Sequence, residues 1–122
     1  MGTADKLIGK VEAKTAAYAI TVSDWGKTFT NRGAGASVTF TLPAVSAVEN
    51  GFFVEFFAVA AQDFVIAATA NQIITFNDVD ADAITFSTSS EIVGAAATLK
   101  CDGTSWLAIL HTEETATTTV TT

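Results

Sequence analysis

Gly51 to Ala70, GFFVEFFAVAAQDFVIAATA, is the stretch that decides the fold. At period two, Phe53, Glu55, Phe57 and Val59 share one face, and Phe52, Val54, Phe56 and Ala58 share the other. Both faces are mostly apolar, which predicts a strand buried on both sides. A helix competes, but Gly51, the aromatic and β-branched content and the short run before Gln62-Asp63 disfavour it. Phe64 to Ala68 predicts a second strand after a turn at Gln62-Asp63. The two runs together predict a central hairpin that other strands must cover.

Outward from that stretch, short alternating runs recur between turn signals. Tyr18, Ile20 and Val22 predict a first strand, and Ser23-Asp24-Trp25-Gly26 a turn. Lys27 to Thr30 reads as a short strand or extended stretch, and Asn31 to Gly35 as a second turn. Val38, Phe40 and Leu42 face inward on a strand that Pro43 ends. A loop with one helical turn leads to Asn50-Gly51. Ile73 to Phe76 and Ala83 to Ser87 predict strands, separated by an acidic loop at Asn77 to Asp82. Thr88 to Glu91 reads as loop. Asp102-Gly103 between Ala95–Cys101 and Ser105–Leu110 predicts a closing hairpin. The expected fold is all-β: one β-sandwich or jelly-roll-like domain of about eight to ten short strands over residues 15 to 111. Residues 1 to 14 read as an N-terminal arm, with Leu7, Ile8 and Val11 on one side of a helical turn. Residues 112 to 122 read as a Thr-rich tail, either disordered or pairing with a neighbouring subunit.

The chain has 122 residues, 49% of them hydrophobic, enough for a single domain with its own core. Only 16% are charged, below the usual quarter, which suggests surface hidden against a partner. The formal charge is −7, and no Lys or Arg occurs from Gly33 to Leu99. That balance argues against nucleic acid and against an anionic membrane as partners. No apolar run has membrane-spanning length, and no signal-peptide core is expected at the N-terminus.

No catalytic constellation, and no residue set for a metal or cofactor, stands out. Asp78, Asp80 and Asp82 have the spacing that opens a calcium loop. Ala83 and Ser89 then stand where the turn glycine and bidentate glutamate belong, so a solvated acidic loop is expected. Cys101 reads as a small core residue, and His111 as a surface residue. Glu55 is the odd residue on the most apolar strand, reaching water, a cation or a subunit contact. Trp25 and Trp106 read as packing residues, with a sugar platform as the functional alternative.

Residues 18 to 43, YAITVSDWGKTFTNRGAGASVTFTLP, resemble a stretch recurring in small β modules of tailed-bacteriophage virion proteins. The shared pattern is Asp24-Trp25-Gly26-Lys27-Thr28-Phe29-Thr30-Asn31, the turn Gly33-Ala34-Gly35, and Val38-Thr39-Phe40-Thr41-Leu42-Pro43. The similarity extends through Gly51 with its aromatic strand and Asn71-Gln72-Ile73 to the Asp102–Trp106 hairpin. Among such modules the chain looks most like a capsid decoration (cement) protein, because it starts at Met1 and carries no fibre shaft. The resemblance implies a non-enzymatic structural protein, a homotrimer made in the host cytoplasm and bound to the major capsid protein outside the head. It implies capsid docking by the arm (Leu7, Ile8, Val11). Phe52, Phe53, Phe56 and Phe57 are then core or subunit interface; Lys27 and Arg32 either pair with Asp24 to support the fold or are capsid-facing cations. The alternative is a fibre, spike or head-fibre module that reads a host glycan.

Overall fold

The computed structural model describes residues 9–87, 92–111 and 117–122. Leu7 and Ile8, and the loop at residues 88–91, lie outside the described residues. The chain is all-β. Its twelve strands in chain order are β1 (Val11–Ala13), β2 (Tyr18–Ala19), β3 (Thr28–Thr30), β4 (Val38–Thr41), β5 (Phe53–Phe57), β6 (Phe64–Ala67), β7 (Ile73–Thr75), β8 (Asp78–Ala81), β9 (Ala83–Ser87), β10 (Ala96–Cys101), β11 (Trp106–His111) and β12 (Thr117–Thr121). They form a seven-stranded sheet, β1-β3-β5-β10-β11-β7-β8, and a five-stranded sheet, β12-β9-β6-β4-β2.

The first six strands alternate between the sheets. Each therefore lies parallel to the strand two places earlier: β1, β3 and β5 in one sheet, β2, β4 and β6 in the other. This alternation overturns the expected central hairpin. β3 and β10 occupy both hydrogen-bonding edges of β5, while β4 and β9 occupy those of β6. The turn before Phe64 thus passes from one sheet to the other instead of reversing within one sheet. A jelly roll is antiparallel throughout, whereas five of the ten strand pairings here are parallel. The closing hairpin forms as expected, with Cys101 opposite Trp106. Asp102 Oδ1 accepts from the amides of Thr104 and Ser105 at 2.9 and 2.8 Å.

Alternation places one aromatic set between the sheets. Phe40 of β4 lies 5.6 Å from Phe29 and 5.3 Å from Phe56, both on the opposite sheet. Phe64 lies 6.0 Å from Phe56, edge to face. All four rings are buried. Deleting a ring of this kind costs about 3–5 kcal/mol through lost burial and the cavity left behind.

Several local expectations change. The first strand stops at Ala19, because a 3-10 turn at Val22–Asp24 reverses the chain and leaves Val22 exposed. The Asn77–Asp82 loop is instead the β7–β8 hairpin. Its turn residues Phe76 and Asn77 have φ of 46° and 66°, the left-handed pair that suits a tight hairpin. The arm's last residues are not helical: β1 is an edge strand beside β3. Part of the tail is likewise a strand, with β12 antiparallel to β9 of its own chain.

Asn31 holds the crossover after β5. Its Oδ1 accepts from the amides of Val59 and Ala60 at 2.7 and 2.8 Å, and its Nδ2 donates to the Ala60 carbonyl at 3.1 Å. The side chain is fully buried. Replacing Asn31 with Ala leaves three backbone groups without partners, so stability should fall by about 3 kcal/mol, read from urea unfolding. On β12, Thr118 Oγ1 is the one buried side-chain polar atom without a partner among the described residues. Thr118→Val should raise stability by about 1 kcal/mol, because it removes an unsatisfied hydroxyl with little change in shape. An unchanged or lower denaturation midpoint would contradict this account.

Candidate binding surface

The Asp24–Asn31 motif is spent on the fold. Asp24 is 1% exposed and sits among donors from three elements. Tyr18 Oη and the Thr21 amide donate to Oδ2, each at 2.9 Å. Lys27 Nζ donates to Oδ1 at 2.8 Å and to Glu12 Oε1 of β1 at 3.0 Å. Gly26 has φ 82°, and its amide donates to the Phe53 carbonyl at 2.7 Å. The cluster binds β1, β2 and the start of β3 into one knot. Lys27 makes the fold-supporting pair with Asp24: its side chain is 12% exposed and held by two carboxylates. Arg32, in the turn after Asn31, is exposed.

Phe52 and Phe56 belong to the core, at 1% exposure each. The expectation that the central strand is buried on both sides fails, because no second layer covers the other face among the described residues. Phe53 is half-buried, and Glu55 and Phe57 are exposed. Register continues this face across the sheet: Lys100 and Thr98 on β10, then Leu107, Ile109 and His111 on β11. Toward the other edge it reaches Thr28 and then Val11. Phe57 is 42%, Ile109 51% and Val11 62% exposed. Glu55 accepts from the Thr28 hydroxyl at 3.1 Å, and the Lys100 ammonium lies 5.8 Å from the Phe53 ring centre. A shallow depression of about 210 Å³ lies between Glu55, Phe57, Thr98 and His111. The result is an open sheet face on which Val11, Phe53, Phe57, Leu107 and Ile109 alternate with Thr28, Glu55, Thr98, Lys100 and His111.

A second recess, about 220 Å³, lies where the loops before β3 and β5 meet. Val22, Trp25, Val48, Glu49 and Phe52 line it. The Trp25 ring packs 5.5 Å from Phe52 and stays partly exposed. Trp106 is fully buried and its Nε1 donates to the Pro43 carbonyl at 3.1 Å, which removes it as a sugar platform. Cys101 is buried, and its Sγ accepts from the Gly103 amide. His111 is exposed.

The three aspartates do not converge. Asp78 Oδ1 accepts from the Asp80 amide, and Asp82 Oδ1 from the Asn71 amide. Among the described residues no three His, Cys, Asp or Glu side chains group to hold a metal ion. No helix among them is long and apolar enough to cross a membrane. Sequence reasoning placed Phe53 and Phe57 in the right strand but not on an open face. It also missed Ile109, whose exposure follows from its register opposite Thr98.

Burial acts to raise the Asp24 pKa, but the bonds from Lys27, the Thr21 amide and Tyr18 outweigh it and hold the carboxyl below 3.8. The unfolded chain therefore binds protons before the folded one does. The stability from Asp24 is complete above that value and is lost as pH falls through the folded-state pKa. Asp24→Asn should lose about 2 kcal/mol at pH 7 and show a shallower decline below pH ~4 in urea unfolding. Some acid dependence remains. The Thr122 hydroxyl lowers the Asp78 carboxyl, and the Ser105 and Thr104 amides lower that of Asp102.

Compared with protein-family models and with curated proteins, the chain matches none.

Proposed function

We propose that this protein is a structural virion component that decorates and stabilises the outside of a bacteriophage head by binding the major capsid protein. One observation carries the reading: the open face of the seven-stranded sheet, with Phe57, Ile109 and Val11 exposed along it. Large apolar side chains left exposed on an uncovered sheet face support an interaction site there. The two sheets read as a β-sandwich, with this face as the capsid-facing side. β1, which carries Val11, is an edge of the same sheet. The arm and the face would then engage one partner surface together. The recess at Trp25 suits a glycan less well, since its walls at Val22, Ala47 and Val48 are apolar. In this reading the protein acts without catalysis, as a homotrimer on the outer capsid surface after synthesis in the host cytoplasm.

The test uses heads that lack this protein. Phe57→Ser combined with Ile109→Ser should leave the unfolding midpoint within about 1 kcal/mol of the parent and weaken head binding at least about tenfold. Deleting residues 1–8, which spares β1 and the Glu12–Lys27 pair, should also weaken attachment without unfolding the domain. Heads that bind both variants as tightly as the parent chain would overturn the proposal. So would heads that bind no version of the protein.

A further inference from the structure

The recess at Trp25 and the side chain of Arg32 are complementary, and they lie at opposite ends of the domain. β3 runs parallel to β5, with Thr28 opposite Glu55 and Thr30 opposite Phe57. Trp25 precedes β3 and packs on Phe52 at the start of β5. Arg32 follows Asn31, which is bonded to Val59 and Ala60 beyond the end of β5. Seven residues of extended chain separate the two levels, roughly 20 Å. That span exceeds the reach of an arginine side chain, so the two cannot meet within one molecule.

Among the described residues, three of the four other cations have engaged side chains. Lys27 is held by Asp24 and Glu12. Lys14 lies 4.0 Å from the Tyr18 ring centre, and Lys100 lies over Phe53. Lys10 is tied through its carbonyl to the Thr28 amide, at the recess's own end of the sheet. Arg32 is the sole arginine in the sequence; it is exposed, and no ion pair holds it among the described residues. The recess offers what a guanidinium takes: a partly exposed tryptophan ring to stack on, an exposed Glu49 carboxylate, and about 220 Å³ of space.

We propose that Arg32 of one copy seats its guanidinium between Trp25 and Glu49 of the next copy, joining copies end to end. The contact is heterologous, so it builds a closed ring or a filament rather than a two-fold dimer. It runs along the direction of β5 and leaves the outer face of the seven-stranded sheet open. It does not depend on the virion reading.

Sedimentation velocity on the purified full chain tests it without any capsid. The parent chain should assemble beyond a monomer. Arg32→Glu and Glu49→Arg should each weaken assembly at least about tenfold. The chain carrying both changes should assemble like the parent, because the pair is restored with its charges exchanged. Trp25→Ala should weaken assembly while near-ultraviolet circular dichroism reports an intact core. A parent chain that stays monomeric, single reversals without effect, or a double variant that stays as weak as the singles would each overturn the proposal. Head binding by the same variants is a separate readout, so failure of this contact and failure of the capsid reading are told apart.

Discussion

Asn31 carries the constraint on which the architecture depends. Where a chain passes from one sheet to the other beyond a strand end, its backbone leaves the ladder, and half-buried amides and carbonyls left unpaired there are costly. At the crossover after β5 one side-chain amide satisfies two N–H groups and one carbonyl. With that crossing fixed, β5 and β6 lie in different sheets, and Phe56 and Phe64 meet across the interior instead of side by side. The knot at Asp24 performs the matching task at the opposite end of β3, where Tyr18, Lys27 and Glu12 gather on one carboxylate.

The sequence carried the strands better than their partners. Val38, Phe40 and Leu42 alternate with threonines and are buried as that pattern requires. Asp102-Gly103 encoded its hairpin locally, because the turn's own side chain caps its amides. The central hairpin misled because a short polar turn between two apolar runs looks the same whether the chain reverses or crosses over. What distinguishes them is Asn31, some thirty residues earlier, and no local period reports a bond at that separation. The acidic run at Asn77–Asp82 misled for a different reason: Phe76 and Asn77 adopt a backbone that glycine usually supplies.

The candidate surfaces were legible in composition but not in position. A charged fraction of 16% pointed to apolar surface, and the aromatic density of Phe52 to Phe57 to the strand that carries part of it. Which ring of each pair faces outward depends on register with β3 and β10, and pairing order is not written in any one segment. Lys27 illustrates the same limit. Its pair with Asp24, three residues away, was legible locally, whereas its second carboxylate, Glu12, comes from a separate element.

The alternation of the first six strands also governs how the chain reaches its structure. No two strands consecutive in that half pair with each other, so none of those ladders can nucleate as a local hairpin. Each demands a loop closed across the core before any hydrogen bond repays the lost chain entropy. The β7–β8 and β10–β11 hairpins, which are local, are the ladders able to form early, and β5 adds to β10 from a distance. Such a topology folds slowly and keeps apolar strand segments exposed while it does so. Production of this protein in a crowded cell is thus a race between assembly of its own sheets and pairing with another chain's edges.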